Sequence, residues 1–280
     1  MSDAPRDIPY TRHDAGRGVV WLKDAWGMLS VNRVPWLLLL LLYYLILGVI
    51  DLVPYLGQIA VPLLKPVFAV GFLAAAWTQE RGGTPELKLM FQGFRSNLWA
   101  LLPLGAFLLV GITVAVLSTA VIDGGTLVDV LAGRAKLDEA TLASGQVQFA
   151  MLFAAACALP VLLALWFAPA LVVFHDCGAA RALATSLRAA LVNWKPIAVY
   201  GLLVFFYGGV VPAIATLLIS AVVPDSLALP VALMVLMPYV FLFIATLHIS
   251  DYVSYRDIFH IDETPTPDDA DAGPPSTSEL

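Results

Sequence analysis

Few residues in this chain of 280 combine a reactive side chain with a spacing that could do chemistry. Lys65 is the clearest, a cation between Pro62 and Pro66 inside an apolar run. An ionisable group held in hydrocarbon is costly and is a functional candidate by default. It either pairs, reaches outward along its stem, or lines a cavity. Asp51, across a short turn, is its expected partner. The other candidates gather just beyond apolar runs: Glu80 and Arg95, then His175, Asp176, Arg188 and Asn193, then His248 and Asp251. Helix-end charges of this kind suit a ring of ion pairs, and the arginines also suit a phosphate-bearing head group. His175 beside Asp176 has the side chains of an acid–base pair, but adjacency in sequence does not place one.

No motif turns these residues into a catalytic centre. The chain has no P-loop, no Gly-x-Ser-x-Gly elbow and no His-Glu-x-x-His pair. His13, His175, His248 and His260 are scattered without metal-ligand spacing. Cys157 and Cys177 form neither a disulfide framework nor a metal pair and are expected to be free thiols. No metal or cofactor is implied, and the chain is expected not to be an enzyme.

The elements that carry the candidates are membrane spans. Hydrophobic residues make up 60% and charged residues 13% of the chain. A soluble domain has about 45–50% apolar and about 25% charged residues. The net charge of -6 arises largely from acids between Asp262 and Glu279. Without that tail the chain is close to neutral, and no nucleic-acid partner is suggested. Crossing a bilayer takes about 20 mostly apolar residues. Such segments run over 34–53, 58–77, 98–121, 149–174, 196–222 and 227–247. Lys65 then lies about 12 Å into the second span at about 1.5 Å per residue. Prolines within the spans predict kinks, which a bundle tolerates when neighbours satisfy the freed backbone. The fold class is all-α, a polytopic helix bundle.

Lysine and arginine set the orientation. Arg6, Arg12, Arg17, Lys23 and Arg33 precede the first span, and Arg81, Lys88 and Arg95 join the second to the third. Arg181, Arg188 and Lys195 join the fourth to the fifth, and Arg256 follows the sixth. That is twelve on one side against two, Arg134 and Lys136, on the other. The bias puts both termini in the cytoplasm, and Trp36, Trp77, Trp99 and Trp194 at the same ends fit an interfacial belt.

Three segments on that side predict amphipathic helices, over 18–31, 84–96 and 179–192. The second has Thr84 as its expected N-cap and Pro85 at its first position. Helices of this type suit a membrane interface or pack beneath a bundle. Each leads into a span. Asn32 and Pro35 share their spacing with Asn193 and Pro196, which suggests a repeated unit of interfacial helix, span out and span back. Residues 1–17 are polar, and the membrane domain covers 18–261. The segment 262–280, rich in Pro, Asp, Ser and Thr, is expected to be disordered. The loop from Asp123 to Gln146 has leucines at 127, 131, 137 and 142, enough for a short surface helix.

The stretch from Trp166 to Leu202 contains Phe167-Ala168-Pro169-Ala170-Leu171, then His175-Asp176, Ala182 to Arg188, and Asn193-Trp194. It resembles the signature segment of a family of proteobacterial multi-pass inner-membrane proteins with a domain of unknown function. Trp21-Leu22-Lys23 with Ala25-Trp26 is similar to that family's opening helix. The resemblance extends to about Arg256, and Lys65 is not part of its pattern. More distantly, the chain is similar to the membrane domain accompanying some bacterial glycerophosphodiester phosphodiesterases. No catalytic domain of that kind is among these residues, so the activity does not carry over. The resemblance implies a helical protein of the bacterial cytoplasmic membrane, with no reaction attached. Three functions compete: a non-enzymatic component organising lipid or protein partners, a small transporter or channel, and an enzyme acting on lipid head groups. Expected partners are the bilayer, phospholipid head groups, and a membrane protein or a second copy of the chain.

Overall fold

A computed structural model of the protein describes residues 8–136 and 144–259. Among these, every regular element is a helix. Six helical segments are long and apolar enough to cross a membrane: Arg33–Asp51, Leu56–Glu80, Leu98–Asp123, Gln146–Phe174, Trp194–Val222 and Asp225–Phe259. The expected disordered tail lies outside the described residues, as do Leu137 and Leu142 of the outer loop. Within that loop a short helix forms over Thr126–Leu131. The Asp123 carboxylate caps it, accepting from the Gly125 and Leu127 amides at 2.9 and 2.7 Å.

Two spans depart from regular geometry, each beside a proline, and a third is longer than expected. The fourth breaks at Phe167, between helices Gln146–Trp166 and Ala168–Phe174, with Pro169 just inside the second. Proline has no amide to donate and clashes with the preceding turn. The break is healed from outside. The Ser186 hydroxyl accepts from the Phe167 amide at 3.0 Å and donates to the Leu163 carbonyl at 2.9 Å. The fifth span widens to a π turn over Phe206–Val210, just ahead of Pro212. There the Tyr239 hydroxyl donates to the Tyr207 carbonyl at 2.6 Å. The sixth helix runs 35 residues, well beyond the expected end at Leu247. The added 12 residues extend it by about 18 Å.

The dry core lies toward the end that holds both described chain termini, called here the terminal face. Trp21, Trp36, Phe72, Phe167, Leu171, Tyr255 and Ile258 are buried there. In the far half, the leucines and valines of the spans face outward, which is no penalty in lipid.

Helix Arg17–Val31 and helix Ala179–Val192 occupy the positions expected for the first and third amphipathic segments. The second departs from expectation. Thr84 to Glu86 is extended, a 3-10 turn covers Leu87–Phe91, and a single short helix covers Gln92–Arg95. Thr84 therefore caps nothing. Packing decides this. Leu89 and Met90 are buried, and a Cβ on Gly71 of the second span would sit 2.7 Å from the Met90 Cα. The tight turn allows that approach. The three interfacial pieces share one rule. The piece opening each unit packs on the return span of the unit before it, and the first closes on the sixth helix. The arrangement is cyclic.

Candidate functional site: the polar seam of the terminal face

A helix of this length ends with four carbonyls that have no partner in the helix. On the sixth helix the N-terminal segment supplies donors to two of them. The Thr11 amide donates to the Ile258 carbonyl at 2.8 Å, and the Thr11 hydroxyl donates to it at 3.3 Å. His13 Nε2 donates to the Asp257 carbonyl at 2.9 Å. The segment is held on its other side by Asn193. That side chain accepts from the His13 amide at 2.8 Å and donates to the Thr11 and Ala189 carbonyls at 2.8 and 3.0 Å. Asn193 is fully buried and all of these contacts are internal.

Asp257 is the hub. Arg17 grips its carboxylate with two nitrogens, Nε at 2.9 Å and Nη2 on the other oxygen, and Trp21 Nε1 donates at 2.7 Å. Arg17 and Trp21 are one helical turn apart, so both reach the same acid. The hydrogen bond to Asp257 holds the Arg17 guanidinium above its ordinary value.

A second knot joins the sixth helix to the end of the second span. Glu80 takes an ion pair from Arg256 and a hydrogen bond from the Tyr252 hydroxyl at 2.5 Å. Next to it, the Gln79 side chain accepts from Trp36 Nε1 at 2.6 Å and donates to the Met28 carbonyl at 2.6 Å. The Arg81 guanidinium lies 4.0 Å over the Trp77 ring.

Two openings flank helix Arg17–Val31. One is a polar cleft of about 620 Å³, with Lys23, Asp24, Asn32, Gln79, Glu80 and Arg256 among its walls. The other is an apolar groove of about 400 Å³ formed with the fifth and sixth spans, with Leu22, Trp26, Leu203, Tyr207, Tyr239 and Phe243 among its walls. Lys23 lines both.

The structure assembles the seam from few of the residues singled out in sequence. Glu80 and Asn193 are in it. His248 and Asp251 lie a turn apart on one helix, with Nδ1 4.0 Å from the carboxylate, and the His248 ring stacks on Phe72 at 3.9 Å. Of the expected ring, Glu80 pairs with Arg256, and among the described residues Arg95, Asp176 and Arg188 make no ion pair. Arg95, Asp176 and Arg188 are exposed, and His175 is half-buried against Tyr255 and Phe259. Asp51 and Lys65 are both exposed, and no ion pair joins them. The long stem lets Lys65 turn outward instead. Cys157 and Cys177 are free, and Cys177 donates to the Leu171 carbonyl at 3.2 Å. Burial pushes the Cys177 thiol up.

Sequence reasoning missed His13, Arg17, Trp21, Gln79, Tyr252, Arg256 and Asp257. A signal was present. Tyr252, Tyr255 and Phe259 continue a helical apolar stripe past the membrane, with Arg256 and Asp257 on its flank.

Compared with known proteins, the chain is 33% identical over 260 residues to a probable inner membrane protein of Burkholderia thailandensis. The match covers 90% of this chain and 94% of that protein. No family model and no solved structure matches.

Proposed function

The chain belongs to the family of that probable inner membrane protein, and on this footing we propose that it is a non-enzymatic membrane component that organises lipid or protein partners from its cytoplasmic face. One observation carries the reading. The polar side chains that the fold brings together hold the ends of the described chain to each other and to the bundle: Asp257 with Arg17 and Trp21, Glu80 with Arg256 and Tyr252, Asn193 with Thr11 and His13. Around this seam Lys23, Arg33, Arg95 and Arg188 remain exposed, a basic rim suited to anionic head groups. The charge bias of the loops supports placing the terminal face in the cytoplasm.

The competing functions have less support. A lipid head-group enzyme would draw on His175, Asp176 and Arg188, of which Asp176 and Arg188 are exposed and make no ion pair among the described residues. A transport path would draw on Lys65, which is exposed and lines neither opening described above.

The test is purification of the full chain from native membranes in mild detergent, followed by identification of its lipids and proteins. A specific phospholipid or a membrane-protein partner is expected. Recovery of neither contradicts the reading.

A further inference from the structure

We propose that the groove and the cleft flanking helix Arg17–Val31 form one binding site for a zwitterionic phospholipid of the phosphoethanolamine class. One of its acyl chains lies in the groove and its head group in the cleft. The proposal deepens the reading above and rests on it, naming the lipid and its place.

The groove has the features of an acyl-chain site. Its volume of about 400 Å³ falls within the range of small-molecule sites, and its walls are apolar and aromatic. It borders the lipid-facing flank, where Trp26 and Tyr207 are exposed. Tyr207 of its wall belongs to the π turn Phe206–Val210, and π turns recur at functional sites. Gly208 in that turn lets the Phe243 ring pack close, since a Cβ there would lie 2.7 Å from it. The backbone is thus distorted where the cavity is formed.

Helical geometry joins the two openings. At about 100° per residue, Val19, Leu22 and Trp26 share one side of the helix and Asp24, Met28 and Val31 another. Lys23 and Gly27 lie between them. Gly27 has nothing within 4 Å of where a Cβ would stand, which leaves a path across the helix from groove to cleft. Lys23 stands on that path. Among the described residues neither Lys23 nor Asp24 takes part in an ion pair.

Charge selects the head group. The cleft walls carry two cations, Lys23 and Arg256, and two acids, Asp24 and Glu80, of which Arg256 and Glu80 are paired. A phosphate with no accompanying cation would face Asp24 and Glu80 uncompensated. A phosphoethanolamine presents its phosphate to Lys23 and its ammonium, a hydrogen-bond donor, to Asp24. The bilayer that surrounds the chain supplies the ligand.

The full chain is reconstituted in vesicles of phosphatidylethanolamine and phosphatidylglycerol in equal parts and re-extracted, and retained lipid is counted by native mass spectrometry. Retention of phosphatidylethanolamine over phosphatidylglycerol by about tenfold is expected, and about tenfold less retention in Lys23→Glu and in the groove-filling Leu203→Trp. Asp24→Lys should shift the preference toward phosphatidylglycerol. Lys23 is exposed, so its variant keeps the fold, and a melting curve verifies this for Leu203→Trp. Variants that retain phosphatidylethanolamine as the parent does, or a parent that takes both lipids equally, overturn the site. If lipid is held specifically but independently of these residues, the site falls and the organising role stands. If neither lipid nor protein is held, both fall.

Discussion

At the scale of single residues, stability on the terminal face hinges on Asp257 and Asn193. Replacing Asp257 by alanine leaves the Trp21 indole N–H without its acceptor in a buried setting. That loss is expected to cost about 1–3 kcal/mol. The Arg17 pair adds less, because its side chain is 39% exposed and solvent screens it. The check is the melting temperature in detergent, with Asp257→Asn expected to lie between the parent and Asp257→Ala. Asn193 gives a sharper contrast. Its amide donates twice to carbonyls, so Asn193→Asp puts acceptors against acceptors in a fully buried site. Asn193→Asp should therefore melt below Asn193→Ala, and the reverse order would contradict the network. Asn193 was visible in the sequence because it precedes a proline where a span begins. Asp257 was not, because an acid so close to the chain's end reads as a solvated surface charge. Its partners, Arg17 and Trp21, lie 240 and 236 residues away. No local pattern reports a contact at that separation.

At the scale of elements, the breaks in the spans depend on neighbours. Ser186 satisfies both polar groups freed at Phe167. Ser186→Ala should cost about 1–3 kcal/mol, since it strands a buried amide and a carbonyl together. Unfolding monitored by tryptophan fluorescence in detergent would measure it. A loss below about 0.5 kcal/mol would mean that the backbone heals itself by local adjustment. The spans themselves were legible, because lipid demands long unbroken apolar runs and little else satisfies that demand. The expected kink at Pro169 is there as well. The interfacial segment around Met90 was not legible. Thr84, Pro85 and Glu86 imitate a helix start, yet burial of Leu89 and Met90 beneath Gly71 requires a tighter turn. The end of the sixth helix was hidden for a related reason. Its last turns bury their apolar side against protein, where charges at Arg256 and Asp257 are tolerated because partners meet them.

At the scale of the whole molecule, the ends of the chain close a cycle. The N-terminal strap covers the last carbonyls of the sixth helix, so the first unit is fastened to the third. Deleting residues 1–14 should lower stability by about 0.5–1.5 kcal/mol for each hydrogen bond removed while leaving the spans inserted. Proteolysis of the sixth helix beyond Leu247 should then become faster. This closure requires that both described ends lie on one side of the membrane, and from the loop charges we propose that this side is the cytoplasm. Paired reporter fusions test the assignment most directly, with alkaline phosphatase or a fluorescent protein joined after Asp225 and after Asp262. The account predicts active phosphatase and no fluorescence at Asp225, and fluorescence without phosphatase activity at Asp262. The opposite pattern, or the same signal at both positions, would contradict it.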